Sequence, residues 1–138
     1  DASIKAQIIN LLKDLQKKLK LTIMFISHDL SVVKHICDRV LVMYLGNIME
    51  LSKKEILYTH SHHPYTKALL SAVPIANPEL ERNKEIKLLE GDLPSPVNPP
   101  VGCVFNTRCP KADDKCRKSR PIPQQMGDGA LVACYYPD

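Results

Sequence analysis

Residues 22–29, Thr22-Ile23-Met24-Phe25-Ile26-Ser27-His28-Asp29, decide how this chain is read. A short run rich in β-formers ends abruptly at a polar triplet. A continuous apolar run of that length suits a strand buried on both faces of a parallel sheet. In open α/β sheets, ligands bind beyond the carboxyl ends of the strands. His28 stands at that point, with Ser27 and Asp29 beside it, at the start of the next helix. A histidine there can donate to a phosphate oxygen or hold a water. Ser27 and Asp29 are also good helix caps, so a purely capping cluster is the competing reading.

Working outward, residues 4–19 place Ile4, Ile8, Leu11, Leu12, Leu15 and Leu19 on one helical face. Lys5, Lys13, Lys17 and Lys20 fall largely off it and read as a solvated face. After the quoted stretch, Leu30, Val33 and Ile36 predict a second helix. Val40–Tyr44 reads as a strand, Leu45-Gly46-Asn47 as a turn, and Ile48–Leu51 as a strand completing a β-hairpin. A short helix is expected near Lys53–Tyr58. Pro64 is well placed at the first position of a helix running to Val73. The expected class is α/β, with a partial parallel sheet, helices and a β-hairpin. No internal repeat is found.

Composition divides the chain. Of 138 residues, 44% are hydrophobic and 25% charged, with a net charge of +4. That excess is too small and too scattered to argue a nucleic-acid partner. No apolar run is long enough for a membrane helix. Residues 59–138 carry all 11 prolines and four of the five cysteines. The shift puts a boundary at residues 60/61, with an irregular, Pro-rich, cysteine-bearing extension over 61–138. Residues 75–102 are expected to form a proline-stiffened surface linker.

Cys103, Cys109, Cys116 and Cys134 lie in that extension, separated by five, six and seventeen residues. Zinc sites usually show closer cysteine pairs. Disulfides suit secreted, loop-rich folds. An iron–sulfur cluster tolerates looser spacing, because it needs only four converging thiolates. Spacing leaves these readings, and free thiols, open. Cys37 reads as a small buried hydrophobe. His60, His62 and His63 read as a loop and helix cap before Pro64.

The motifs together resemble a known family. Ser27-His28-Asp29-Leu30, Cys37-Asp38-Arg39-Val40 and Met43-Tyr44-Leu45-Gly46 look like the end of an ABC-transporter nucleotide-binding domain. The string His63-Pro64-Tyr65-Thr66-Lys67-Ala68-Leu69-Leu70-Ser71-Ala72-Val73-Pro74 resembles the ATP-binding subunits of oligopeptide, dipeptide and nickel importers. Gly91-Asp92-Leu93-Pro94-Ser95-Pro96 and Gly102–Pro110 resemble that family's C-terminal extension. The opening residues look like the tail of its D-loop, which reads the chain as a fragment. The resemblance implies that residues 1–60 are the C-terminal part of an ABC ATPase core, and 61–138 the family's extension.

Carried over, His28 matches the switch histidine, which contacts the ATP γ-phosphate in a dimer of such domains. Asp1 matches the D-loop aspartate. The resemblance implies ATP with Mg2+ as cofactor. It also implies a second ATPase subunit, identical or related, transmembrane permease subunits and a peripheral place on the cytoplasmic face of a bacterial-type membrane. Dimer contacts are expected of the extension. No nucleic acid is implied. The chain lacks a glycine-rich phosphate loop with its Lys, a Walker B carboxylate and an LSGGQ-type signature. Alone, it is expected not to hydrolyse ATP. In the family, the four cysteines ligate a [4Fe–4S] cluster, and Arg108 would lie beside it. An isolated chain handled in air would be apo, disulfide-bonded or zinc-loaded. Two other classes stand against this reading. One is a stand-alone metal or Fe–S module. The other, a zinc-ribbon nucleic-acid binder, is disfavoured by the weak charge and the wide cysteine spacing.

Overall fold

The computed structural model describes residues 2–74, 79, 82–83, 86 and 89–138. The chain forms two compact units, Asp1–Asp38 and Arg39–Asp138.

In the first unit, α1 (Ala2–Leu19) follows the predicted periodicity. It ends where Lys20 turns left-handed (φ 52°) and the Leu21 amide donates to the Gln16 carbonyl at 3.1 Å. That is a helix-closing motif that satisfies an otherwise orphaned carbonyl. Its apolar stripe stays exposed at Ile4, Ile8, Leu11 and Leu19. α2 (Leu30–Ile36) is capped by Asp29, whose carboxylate accepts from the Ser31 and Val32 amides.

The stretch between them corrects one expectation. Residues 22–26 form no strand. Ile23 and Phe25 are half-buried, while Met24 and Ile26 are 88% and 87% exposed. The alternation is strand-like, but a strand exists only through a ladder with a neighbour. No described segment pairs with it. The α/β class stands. The sheet is antiparallel, not parallel, and belongs entirely to the second unit.

There, β1 (Arg39–Tyr44) and β2 (Asn47–Lys53) make the predicted hairpin. The link is two residues, Leu45 and Gly46, both at positive φ (46° and 72°). That geometry matches the twist of paired strands, and Gly46 adopts it without steric cost. Val40, Val42 and Tyr44 point inward along β1. The register slips between Val42 and Met43, so that Val42 faces Glu50 and Met43 faces Ile48. Met49 is the extra residue, and the bulge lets consecutive Met49 and Glu50 both turn inward.

α3 (Lys54–His60) and α4 (Pro64–Ser71) follow, close to prediction. The described part of the expected linker, 79, 82–83, 86 and 89–102, is mostly exposed; residues 75–78, 80–81, 84–85 and 87–88 lie outside the described residues. The extension is more regular than expected. It holds α5 (Asp114–Lys118), β3 (Gln124–Gln125) and β4 (Leu131–Val132). β4 pairs with β2, giving the order β1-β2-β4-β3. Residues from both sides of the compositional boundary therefore share one sheet. Its core is Val40, Val42, Leu57, Phe105 and Val132, with Tyr44, Tyr65 and Phe105 packed ring to ring at 4.8–5.3 Å. Among the described residues, no helix is long and apolar enough to cross a membrane.

Candidate functional site

The extension folds around its cysteines. Gly102 adopts φ 75°, and a side chain there would lie 2.3 Å from the Cys116 carbonyl oxygen. This close approach lets the Cys103 amide donate to the Cys116 carbonyl at 2.8 Å. Tight turns follow each of the first two cysteines: the Asn106 amide donates to the Cys103 carbonyl, and the Ala112 amide to the Cys109 carbonyl. Asp113 caps α5 by accepting from the Cys116 amide at 3.0 Å, and Tyr136 donates its hydroxyl to the same carboxylate. β4 delivers the fourth cysteine, fixed by the Ala133 amide donating to the Met49 carbonyl at 2.9 Å.

All four thiols line one cavity of about 10 Å³, room for one water-sized sphere. None is in a disulfide. Burial pushes every one of the four thiols up, Cys134 to about 11, and neighbouring cysteines add to the effect at Cys109, Cys116 and Cys134. Opposing it are backbone amides directed at sulfur. Phe105 and Asn106 serve Cys103, Lys111 serves Cys109, and the Tyr136 amide reaches Cys134 Sγ at 3.3 Å. An N–H aimed at a thiol favours the thiolate. Three of the cysteines thus receive the amide two residues on. Among the described residues, no three His, Cys, Asp or Glu side chains are set to hold a metal ion. Burial is the largest influence on each thiol and favours the neutral form, so metal binding requires the protons to leave.

The charges nearby differ from expectation. Arg108 does not face the thiols; its guanidinium donates to the Leu89 and Glu90 carbonyls at 3.3 Å. Arg120 and Lys111 instead favour the thiolates of Cys103 and Cys109.

Three residues, one on β2 and two in the link between α3 and α4, had no site role in the sequence reading and have one here. Glu50, fully buried by the β2 bulge, accepts from the His62 amide at 3.0 Å and the His63 amide at 2.9 Å. His62 sits with Nε2 2.8 Å from an Asp128 carboxylate oxygen and Nδ1 2.6 Å from the Asp138 carbonyl. His63 caps α4 as expected, its Nδ1 accepting from the Tyr65 amide at 3.0 Å, and its ring also lines the thiol cavity. Burial lowers its pKa to about 4, so the ring is neutral at pH 7. The histidine cluster before Pro64 was the only signal for the last two; a bulge leaves no mark in the apolar pattern.

Of the other predicted site residues, His28 lies exposed in the bend before Asp29. Its neighbours do act as caps: the Asp29 amide donates to Ser27 Oγ at 3.0 Å, and Lys5 pairs with the Asp29 carboxylate at 2.8 Å. The Lys5 and Ser31 side chains, with the Val32 amide, hold that carboxyl well below its usual range. Asp1 lies outside the described residues. Cys37 is half-buried at the end of α2, where its amide donates to the Val33 carbonyl at 3.0 Å.

The family described as oligopeptide/dipeptide transporter, C-terminal region, matches residues 49–116. The oligopeptide transport ATP-binding protein OppF of Haemophilus influenzae is 63% identical over 134 residues, which are 97% of this chain and 40% of that protein. OppF of Salmonella typhimurium is 62% identical over 122 residues, 88% of this chain and 36% of that protein. OppF of Escherichia coli is 61% identical over the same length and shares. The chain therefore spans about two fifths of the curated relatives it matches.

Proposed function

We propose that the chain belongs to the oligopeptide/dipeptide transporter family of ABC ATP-binding subunits and corresponds to their C-terminal part. In this reading it is part of a subunit that binds ATP with Mg2+ and couples hydrolysis to peptide import. Residues 1–60 end the ATPase core and 61–138 form the extension. Two such subunits, identical or related, close on ATP and open on hydrolysis. His28 contacts the γ-phosphate and Asp1 serves communication between subunits. Transmembrane permease subunits are the partners, on the cytoplasmic face of the membrane. The observation that carries this is identity of 63% running through 97% of the chain, across both units. The stand-alone metal module gains no support from the relatives, whose similarity extends through the first unit as well.

The test is the full-length gene product. The residues encoded before Asp1 should include a glycine-rich phosphate loop with its Lys, and the product should hydrolyse ATP with Mg2+. His28→Ala should abolish turnover, while residues 1–138 alone should show none. A start codon near Asp1, with no phosphate loop encoded before it, or turnover indifferent to His28→Ala, would overturn the reading.

The second part of the proposal is that Cys103, Cys109, Cys116 and Cys134 hold a [4Fe–4S] cluster. What supports this is the chemistry of the donors, although the side chains are not set for a single metal ion: four cysteines line one cavity, amides are aimed at three of the sulfurs, and Lys111 and Arg120 would balance an anionic group. When bound, the cluster supplies four iron–thiolate bonds and a one-electron couple. This chain's part is to present the thiolates: the Gly102–Cys116 contact sets two, the Cys109 turn a third, and β4 the fourth. Cross-linking segments from residues 103 to 134, the group would be a structural tie for the extension.

A further inference from the structure

We propose that His63 is a positioning residue for the group held by the four cysteines, donating a hydrogen bond through Nε2–H to one of its sulfurs; this rests on the cluster reading above. Three observations lead there. His63 is only 1% exposed, in the core of the second unit. Its Nδ1 accepts the Tyr65 amide, which places the ring's one proton on Nε2. That Nε2 has no hydrogen-bond partner, although the ring lines the same cavity as the four thiols. The Ala133 carbonyl is near enough to the ring to favour its protonated form, without giving Nε2 a bond of proper geometry.

A fully buried donor left unmet is costly, and native proteins keep few of them. A bare helix cap would not need it: Asp or Ser would accept the Tyr65 amide with no side-chain N–H at all. The imidazole gives the helix an acceptor and keeps a buried donor, in a residue that lines the cavity. Of the residues that line the cavity with His63, the four cysteines bring sulfur acceptors, and the amides of Phe105, Asn106, Lys111 and Tyr136 come from the cysteines' own turns. A hydrogen bond to a cluster sulfur stabilises the more negative, reduced state and raises its potential.

The test uses the anaerobically purified chain in three measurements: iron and sulfide content, midpoint potential, and pulsed EPR of the reduced form carrying 15N-histidine. His63→Asn keeps an acceptor for the Tyr65 amide and loses the ring N–H at the Nε2 position, which the shorter amide does not reach. The expected results are a weak coupling to one histidine nitrogen in the wild type, lost in the variant, and a more negative potential in the variant at unchanged iron content. Should His63→Asn fail to fold, the wild-type coupling decides alone. Full iron content with no histidine coupling overturns the inference and leaves the cluster reading standing; so does an unchanged potential in a folded, iron-loaded variant. A wild-type chain without iron overturns the cluster reading and this inference with it.

Discussion

Gly102 lies against the carbonyl of Cys116 so closely that a single added methyl carbon would sit 2.3 Å from the oxygen. The contact joins two cysteines thirteen residues apart in sequence and holds the Cys103 amide on the Cys116 carbonyl at 2.8 Å. Three of the four segments that carry thiols depend on it or on the turns around it. Glycine answers two demands here: the left-handed backbone at φ 75° and the absence of a Cβ.

Gly102→Ala should therefore be severe. The left-handed backbone alone costs a non-glycine residue about 1–2 kcal/mol, and the backbone clash adds to it. We expect lower stability in denaturant and loss of most bound iron in an anaerobic preparation. Gly127→Ala, where a Cβ meets nothing within 4 Å, is the control. Wild-type stability and iron in the Gly102 variant would show that the contact does not build the site.

Glu50 should matter to stability because it is fully buried. Its carboxylate is the partner of two buried amides, His62 and His63. Glu50→Ala leaves both unmet, at about 1–3 kcal/mol for each. Glu50→Gln keeps an acceptor and should cost less. Chemical denaturation orders the three proteins; two variants within about 0.5 kcal/mol of wild type would contradict the assignment.

The His62–Asp128 pair should make stability depend on pH. Burial works to lower the His62 pKa, but the Asp138 carbonyl and the Asp128 carboxylate outweigh it, and the net shift is upward. A raised pKa contributes stability fully below the ordinary value of 6.5, and the contribution fades as pH rises through the folded value. Asp128 is lowered by the Ala130 amide and by His62, so its share is complete above 3.8 and fades as pH falls through the folded value. Asp128→Asn should depress Tm more at about pH 5.5 than at about pH 8.5. An equal loss at both would assign the effect to the Ala130 amide alone.

Much of this architecture was legible because local signals agreed. Gly46 between two apolar runs announced the hairpin, Pro64 began its helix, and the periodicity from Ile4 to Leu19 is that of α1. The strand expected at Thr22–Ile26 failed because residue type describes a willingness to pair, and pairing needs a neighbour. β3 and β4 were invisible for the opposite reason. Gln124-Gln125 and Leu131-Val132 are too short to show alternation, and tertiary pairing with β2 makes them strands. The cysteines were legible as a set, and spacing did not reveal that Gly102 and β4 bring them to one cavity. Glu50 and His63 escaped because a bulge buries one and the other's second nitrogen faces a wall built from distant sequence. Arg108 was misplaced because proximity in sequence to Cys109 says nothing about where a long side chain turns.

The most direct measurement is iron, acid-labile sulfide and zinc in the chain purified without oxygen, with its visible spectrum. The account predicts a brown protein with about four irons and four sulfides per chain, and a broad absorption band that disappears when Cys103, Cys109, Cys116 and Cys134 are changed to serine. Zinc alone, or four metal-free thiols in the anaerobic protein, would contradict it.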